Sequence, residues 1–147
     1  MNNTKIKCCI QRPPLSKCAS GALLLLRVIA GSAFIIHGFA KMHAPTSWMG
    51  PEASVPGFLQ FLAAFAEFGG GIAWIIGLLT PLASLGIAIT MTVATYVMMV
   101  SMAAPFVSLT GGMSGELGLA FFGIAILLMI MGPGKFSLDA KIFGEKQ

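Results

Sequence analysis

Arg27 and Glu67 are the ionisable side chains set deepest within apolar sequence, the first in GALLLLRVIAGSAFIIHGFA and the second in FLQFLAAFAEFGGGIAWIIGLL. A guanidinium is a permanent cation with five donors, whereas a carboxylate accepts hydrogen bonds and can take up a proton. Brought together away from water, the two can form an ion pair, relay a proton or hold the oxygen atoms of a polar ligand. At 100° per residue, Gln60, Ala63, Glu67, Gly70, Gly71 and Trp74 share one helical face. Arg27, His37 and Lys41 fall within about 80° of one another on a second helix. Tyr96 and Glu116 complete the polar groups that can reach such an interior site.

The elements that carry these residues are set by composition. Of 147 residues, 56% are hydrophobic and 10% charged, far below the charge content of about a quarter that soluble domains average. The apolar residues lie in blocks, not in an amphipathic stripe, so lipid is the solvent they fit. Four blocks approach or exceed the 20 or so residues that cross a hydrocarbon core. They are placed at Gly21 to Ala40, Phe58 to Leu79, Leu82 to Met102 and Met113 to Met131. The predicted fold is all-α: a four-helix transmembrane bundle over residues 21–134, with a flexible tail over 1–20 and an interfacial segment over 135–147. Thr80 and Pro81 are expected to form a tight turn between the second and third spans. Pro45, Pro51 and Pro56 deny helix to the first long loop.

Charge gives the orientation. Lys5, Lys7, Arg12 and Lys17 precede the first span and Lys135, Lys141 and Lys146 follow the last, whereas only Lys41 flanks the opposite face. Short cytoplasmic segments retain Lys and Arg, so both termini are expected in the cytoplasm. The net charge of +4 is therefore membrane-flanking charge directed at the lipid bilayer, and no nucleic acid is expected. Arg27 interrupts the first block after five apolar residues, too few for the core of a cleaved signal peptide, so that block is expected to stay as a helix. Cys8, Cys9 and Cys18 are an odd number without a CxxC and in a cytoplasmic tail would be reduced thiols.

At helical rise Arg27 lies roughly 9 Å from the inner boundary and Glu67 roughly 14 Å from the outer one. In a core of about 30 Å their depths then differ by about 7 Å, a gap a long Arg side chain can close. An Arg27–Glu67 contact inside the bundle is the resulting expectation. Gly69, Gly70 and Gly71 beside Glu67 permit close helix packing. A structural reading stands next to the chemical one: such a pair can serve only to fix helix register, Arg27 can snorkel to the inner headgroups, and Glu116 can serve the fourth helix dipole. Met98, Met99 and Met102 are packing residues as readily as soft metal ligands, and no metal or haem motif is present.

Three stretches occur in an order that resembles the DoxX family of small bacterial membrane proteins. They are LLLLRVIAGSAFIIHGFAK with Arg27, His37, Gly38 and Lys41; AEFGGGIAWIIGLLTPLA with Glu67, Gly69 and Gly70; and GPGKFSLDA with Gly132, Pro133, Gly134, Ser137, Leu138 and Asp139. The resemblance covers nearly the whole chain after the tail. One departure is Pro81, where many members have a basic residue after the Thr of the second turn. The resemblance implies a redox-linked accessory subunit. On residue chemistry, its Arg/Glu/His site suits a quinone or a small sulfur species, with quinone as the cofactor to test. The alternatives are a non-catalytic assembly partner for another membrane or peripheral protein, and a small-solute transporter built as a homo-oligomer.

Overall fold

A computed structural model describes residues 15–53 and 55–143. The described residues form helices α1 (Lys17–Met42), α2 (Gly57–Ile76), α3 (Thr80–Tyr96), α4 (Glu116–Met131) and α5 (Leu138–Phe143), with no strand among them. A π-helical segment, Val97–Ser101, prolongs α3. Lys17–Met42, Gly57–Ile76 and Thr80–Ser101 are long and apolar enough to cross a membrane; α4, with 16 residues, is a shorter apolar helix. The architecture is the expected all-helical one.

Boundaries differ from expectation where caps decide them. Ser16 accepts the Ala19 N–H through its hydroxyl at 3.1 Å, so α1 starts at Lys17 and takes in the last residues assigned to a flexible tail. Cys18 is exposed on its first turn. Cys8 and Cys9 lie outside the described residues. Thr80 and Pro81, expected as the turn, are instead the first turn of α3. The connection is Gly77 to Leu79, with Gly77 at φ 69° closing α2 in the left-handed conformation that glycine adopts without penalty. Proline suits the first turn of a helix, where its missing N–H has no intrahelical partner to lose.

The helices alternate in direction. At one end lie the start of α1, the α2–α3 turn and the segment after α4: Arg27 donates to the Phe136 carbonyl, and the Asp139 N–H donates to the Gly77 carbonyl. The opposite end holds Lys41, the described residues of the 43–56 loop and the loop from Met102 to Gly115.

Glycines set the spacing. A Cβ on Gly31 would stand 2.7 Å from the Gly71 carbonyl oxygen and one on Gly71 would stand 2.7 Å from that of Gly31, so the α1 and α2 backbones meet there. Gly70 faces Ile87 of α3 instead, and Gly69 meets only Phe65 of its own helix. The core lies between these crossings. Trp74 is fully buried, meets Phe34 edge-on at 5.5 Å and donates its indole N–H to Ser84 Oγ at 2.9 Å. Phe34 also packs on Phe121, joining α1 to α4.

Candidate functional site

The expected Arg27–Glu67 contact does not form. Glu67 is 2% exposed and pairs through Oε1 with Lys41 Nζ at 2.5 Å; Arg27 is fully buried and donates through Nη2 to the Phe136 carbonyl. Its Nε and Nη1 find no acceptor among the described residues. Two features of helices explain the rearrangement. Gly38 of α1 sits against Phe68 of α2, which places Glu67 about eleven residues, or about 16 Å, beyond Arg27 along the bundle. Side chains also tilt toward the amino terminus of their own helix. On antiparallel helices that tilt carries Arg27 away from Glu67, while it brings Lys41 down and Glu67 up to meet each other.

The polar interior is therefore two clusters. At the α1-start end the guanidinium packs beneath the α2–α3 turn, so close that a Cβ on Gly77 would collide with Nη1. Asp139 opposes its charge. That carboxylate also caps α3, which has no side-chain cap of its own: Oδ1 accepts from Leu79 N–H at 2.7 Å and Oδ2 from Thr80 N–H at 2.9 Å. Leu79 is held at φ 48°, a left-handed conformation rare for leucine. Ser137 donates to the Gly134 carbonyl at 2.7 Å and accepts the Ala140 N–H at 3.1 Å, starting α5.

The second cluster, like the first, leaves a buried polar atom unpartnered among the described residues, and it is partly exposed through Lys41. Lys41 is 24% exposed and its ammonium lies 4.4 Å from the centroid of the Trp48 ring, a cation–π contact over the ion pair. Trp48 donates its indole N–H to the Gln60 carbonyl at 3.0 Å. The Gln60 side chain, itself buried, accepts from Met49 N–H at 3.1 Å and donates to the Val55 carbonyl at 2.9 Å, tying the loop to the first turn of α2. Glu67 Oε2 is buried and without a partner among the described residues. Chemically, Lys41 can donate to a ligand oxygen while Glu67 accepts or returns a proton. Beside it, Phe39, Met42 and His43 line a shallow recess.

The other residues singled out in the sequence lie apart. His37 and Tyr96 are exposed on their helices. Glu116 sits in the first turn of α4 and accepts from the Ser114 hydroxyl. Among the described residues no three His, Cys, Asp or Glu side chains gather to hold a metal ion. Periodicity missed Trp48 and Asp139, since one is in a loop and the other serves a helix some sixty residues earlier in the chain.

The sequence profile of DoxX matches residues 22–101, which include the helix pair that builds the Lys41–Glu67 cluster. The chain belongs to the DoxX family. It is 32% identical over 127 residues to "Inner membrane protein YqjF" of Escherichia coli, covering 85% of this chain and 95% of that one. To "Putative oxidoreductase CatD" of Bacillus subtilis it is 28% identical over 127 residues, covering 84% and 89%. An uncharacterized protein of Haemophilus influenzae is 30% identical over 123 residues, covering 82% and 90%. No solved structure matches the chain. Family membership, an inner-membrane relative and the apolar helices make this DoxX protein a multi-pass inner-membrane protein in contact with the lipid bilayer.

Proposed function

We propose that this DoxX protein is a redox-linked accessory subunit, with both termini in the cytoplasm, that receives the polar head of a quinone or a small sulfur species at the Lys41–Glu67 cluster. The carrying observation is a buried carboxylate with one oxygen on a partly exposed lysine and the other unclaimed among the described residues. Intramembrane ionisable groups are costly and usually serve a ligand or proton path. Lys41 supplies the donor for a carbonyl oxygen, Glu67 the proton acceptor, and the Trp48 ring a flat apolar wall. Electrons come from a partner, since the chain has no electron-carrier motif. A relative bearing an oxidoreductase name supports the same direction. The orientation rests on the basic residues that precede the first span and follow the last in the sequence.

Protein extracted in native lipid and analysed for bound quinone tests this reading. Wild type is expected to retain quinone and Glu67→Gln to lose it. Absence of quinone from wild type, together with unchanged quinone reduction by membranes carrying Glu67→Gln, overturns it.

One observation favours an assembly role as the second reading. Phe136, Leu138, Ile142 and Phe143 are exposed around α5, on the segment that Arg27 holds in place. Cross-linking in native membranes from Ile142 would capture a distinct partner under that reading and only copies of this chain or lipid otherwise.

A further inference from the structure

The loop between the π-helical segment and α4 has the surface of a membrane element. From Phe68 to Gly115 the sequence contains no Asp, Glu, Lys, Arg or His. Within the loop Phe106, Val107, Leu109 and Met113 are exposed, Leu109 at 96%. Its height in the bundle is fixed by packing: Gly115 lies against the Met99 side chain. Met99 is nineteen residues past Thr80, or about 28 Å along the helix axis, which is the outer edge of a core about 30 Å thick. The loop leaves the bundle at that level. It continues the lipid-facing surface, since Val100 before it and Leu117 after it are exposed apolar residues too.

Its backbone is partly satisfied from within. Gly115 N–H donates to the Pro105 carbonyl at 3.1 Å, Glu116 N–H to that of Phe106 at 2.9 Å, and Gly112 N–H to Ser108 Oγ at 2.8 Å. Such closure suits the headgroup boundary, where irregular backbone is tolerated and apolar side chains reach acyl chains. The other loop at this end differs, carrying Glu52 and taking Trp48 inward onto Lys41.

We infer that the loop from Met102 to Gly115 docks into the lipid interface of the leaflet opposite the α1 start, with Phe106, Val107, Leu109 and Met113 inserted among the lipids. It is an interfacial anchor, and the water-facing surface of that end is the exposed part of the other loop, with Ser47 and Glu52. The partner chemistry is the boundary between phospholipid headgroup and acyl chain. Lack of charge, height and continuity with the lipid-facing helices all favour this occupant over a second protein.

The test uses full-length protein with Cys8, Cys9 and Cys18 replaced by Ser. An environment-sensitive fluorophore is placed at Leu109→Cys or, for comparison, Ser47→Cys. Both are reconstituted in phosphatidylethanolamine and phosphatidylglycerol vesicles containing lipid spin-labelled near the headgroup end of the acyl chain. The Leu109 probe is expected to be quenched by the spin-labelled lipid and shielded from iodide, and the Ser47 probe the reverse. Equal iodide quenching at both positions places the loop in water and overturns the inference. Shielding from iodide and from spin label together means that protein covers the loop, which overturns it as well. Met113→Cys, carrying the same probe, gives an independent reading if Leu109→Cys fails to fold.

Discussion

Glu67 of α2 is paired with Lys41 of α1 at 2.5 Å, near the end of the bundle where α1 finishes. The guanidinium fourteen residues earlier on α1 is engaged instead with the chain after α4. Helix direction decides this arrangement. Antiparallel neighbours tilt their side chains in opposite senses, so charges on them meet only when each leans toward the other.

The three consecutive glycines of α2 should respond differently to alanine. At Gly71 a new Cβ meets backbone, the Gly31 oxygen at 2.7 Å and the Ile35 nitrogen at 2.9 Å, so α1 and α2 must separate. A loss of about 1–3 kcal/mol is expected there, as for overpacked cores. Gly70→Ala meets the flexible end of Ile87 and should cost less; Gly69→Ala should be close to neutral. Unfolding in detergent or bicelles measures the order.

Asp139→Ala removes both acceptors at the start of α3 and should cost about 1–2 kcal/mol, the range of a lost helix cap. Asp139→Asn keeps one carbonyl oxygen and should fall between it and wild type. Proteolysis at the Gly77–Leu79 turn, faster in the same order, checks the site of the damage.

Arg27→Met retains an unbranched apolar stem and loses the hydrogen bond to Phe136. Hydrogen bonds from charged groups contribute about 1.5–3 kcal/mol, so amide exchange over residues 136–143 should rise about ten- to a hundredfold while that of α2 changes little. Equal acceleration throughout the bundle would mean that Arg27 supports the whole fold and not this joint.

Much of this was legible in the sequence. Block length gave the helices, but of the three glycines expected to let backbones approach only Gly71 meets the α1 backbone, while Gly70 faces the Ile87 side chain and Gly69 only Phe65 of its own helix. Arg27 and Glu67 were correctly singled out as buried charges, but depth counting alone mispaired them: it ignored side-chain tilt and took Gly21 and Phe58 as level boundaries. Asp139 was less visible because its role is non-local. The sequence pointed elsewhere, since Thr80 before Pro81 reads as a helix cap of its own, whereas in the structure Leu79 takes the cap position and Asp139 accepts the orphan N–H groups. The exposure of Tyr96 and His37 depended on how each helix is rotated, which hydrophobicity cannot resolve when every face is apolar.

Orientation can be read from Cys18, which is exposed on the first turn of α1. In cells with a permeabilised outer membrane, an impermeant maleimide should leave Cys18 unlabelled until the inner membrane is opened. Glu52→Cys in the cysteine-free protein should label at once. The opposite pattern would invert the topology.

The most direct test of the two-cluster arrangement is a pair of double-mutant cycles, with unfolding measured in the same lipid. Lys41→Met with Glu67→Gln should show coupling on the order of 1–3 kcal/mol, whereas Arg27→Met with Glu67→Gln should be additive within about 0.5 kcal/mol, as for sites without shared partners. Coupling of Glu67 to Arg27, with none to Lys41, would contradict the separation of the polar interior into a joint at the α1-start end and a site at the opposite end.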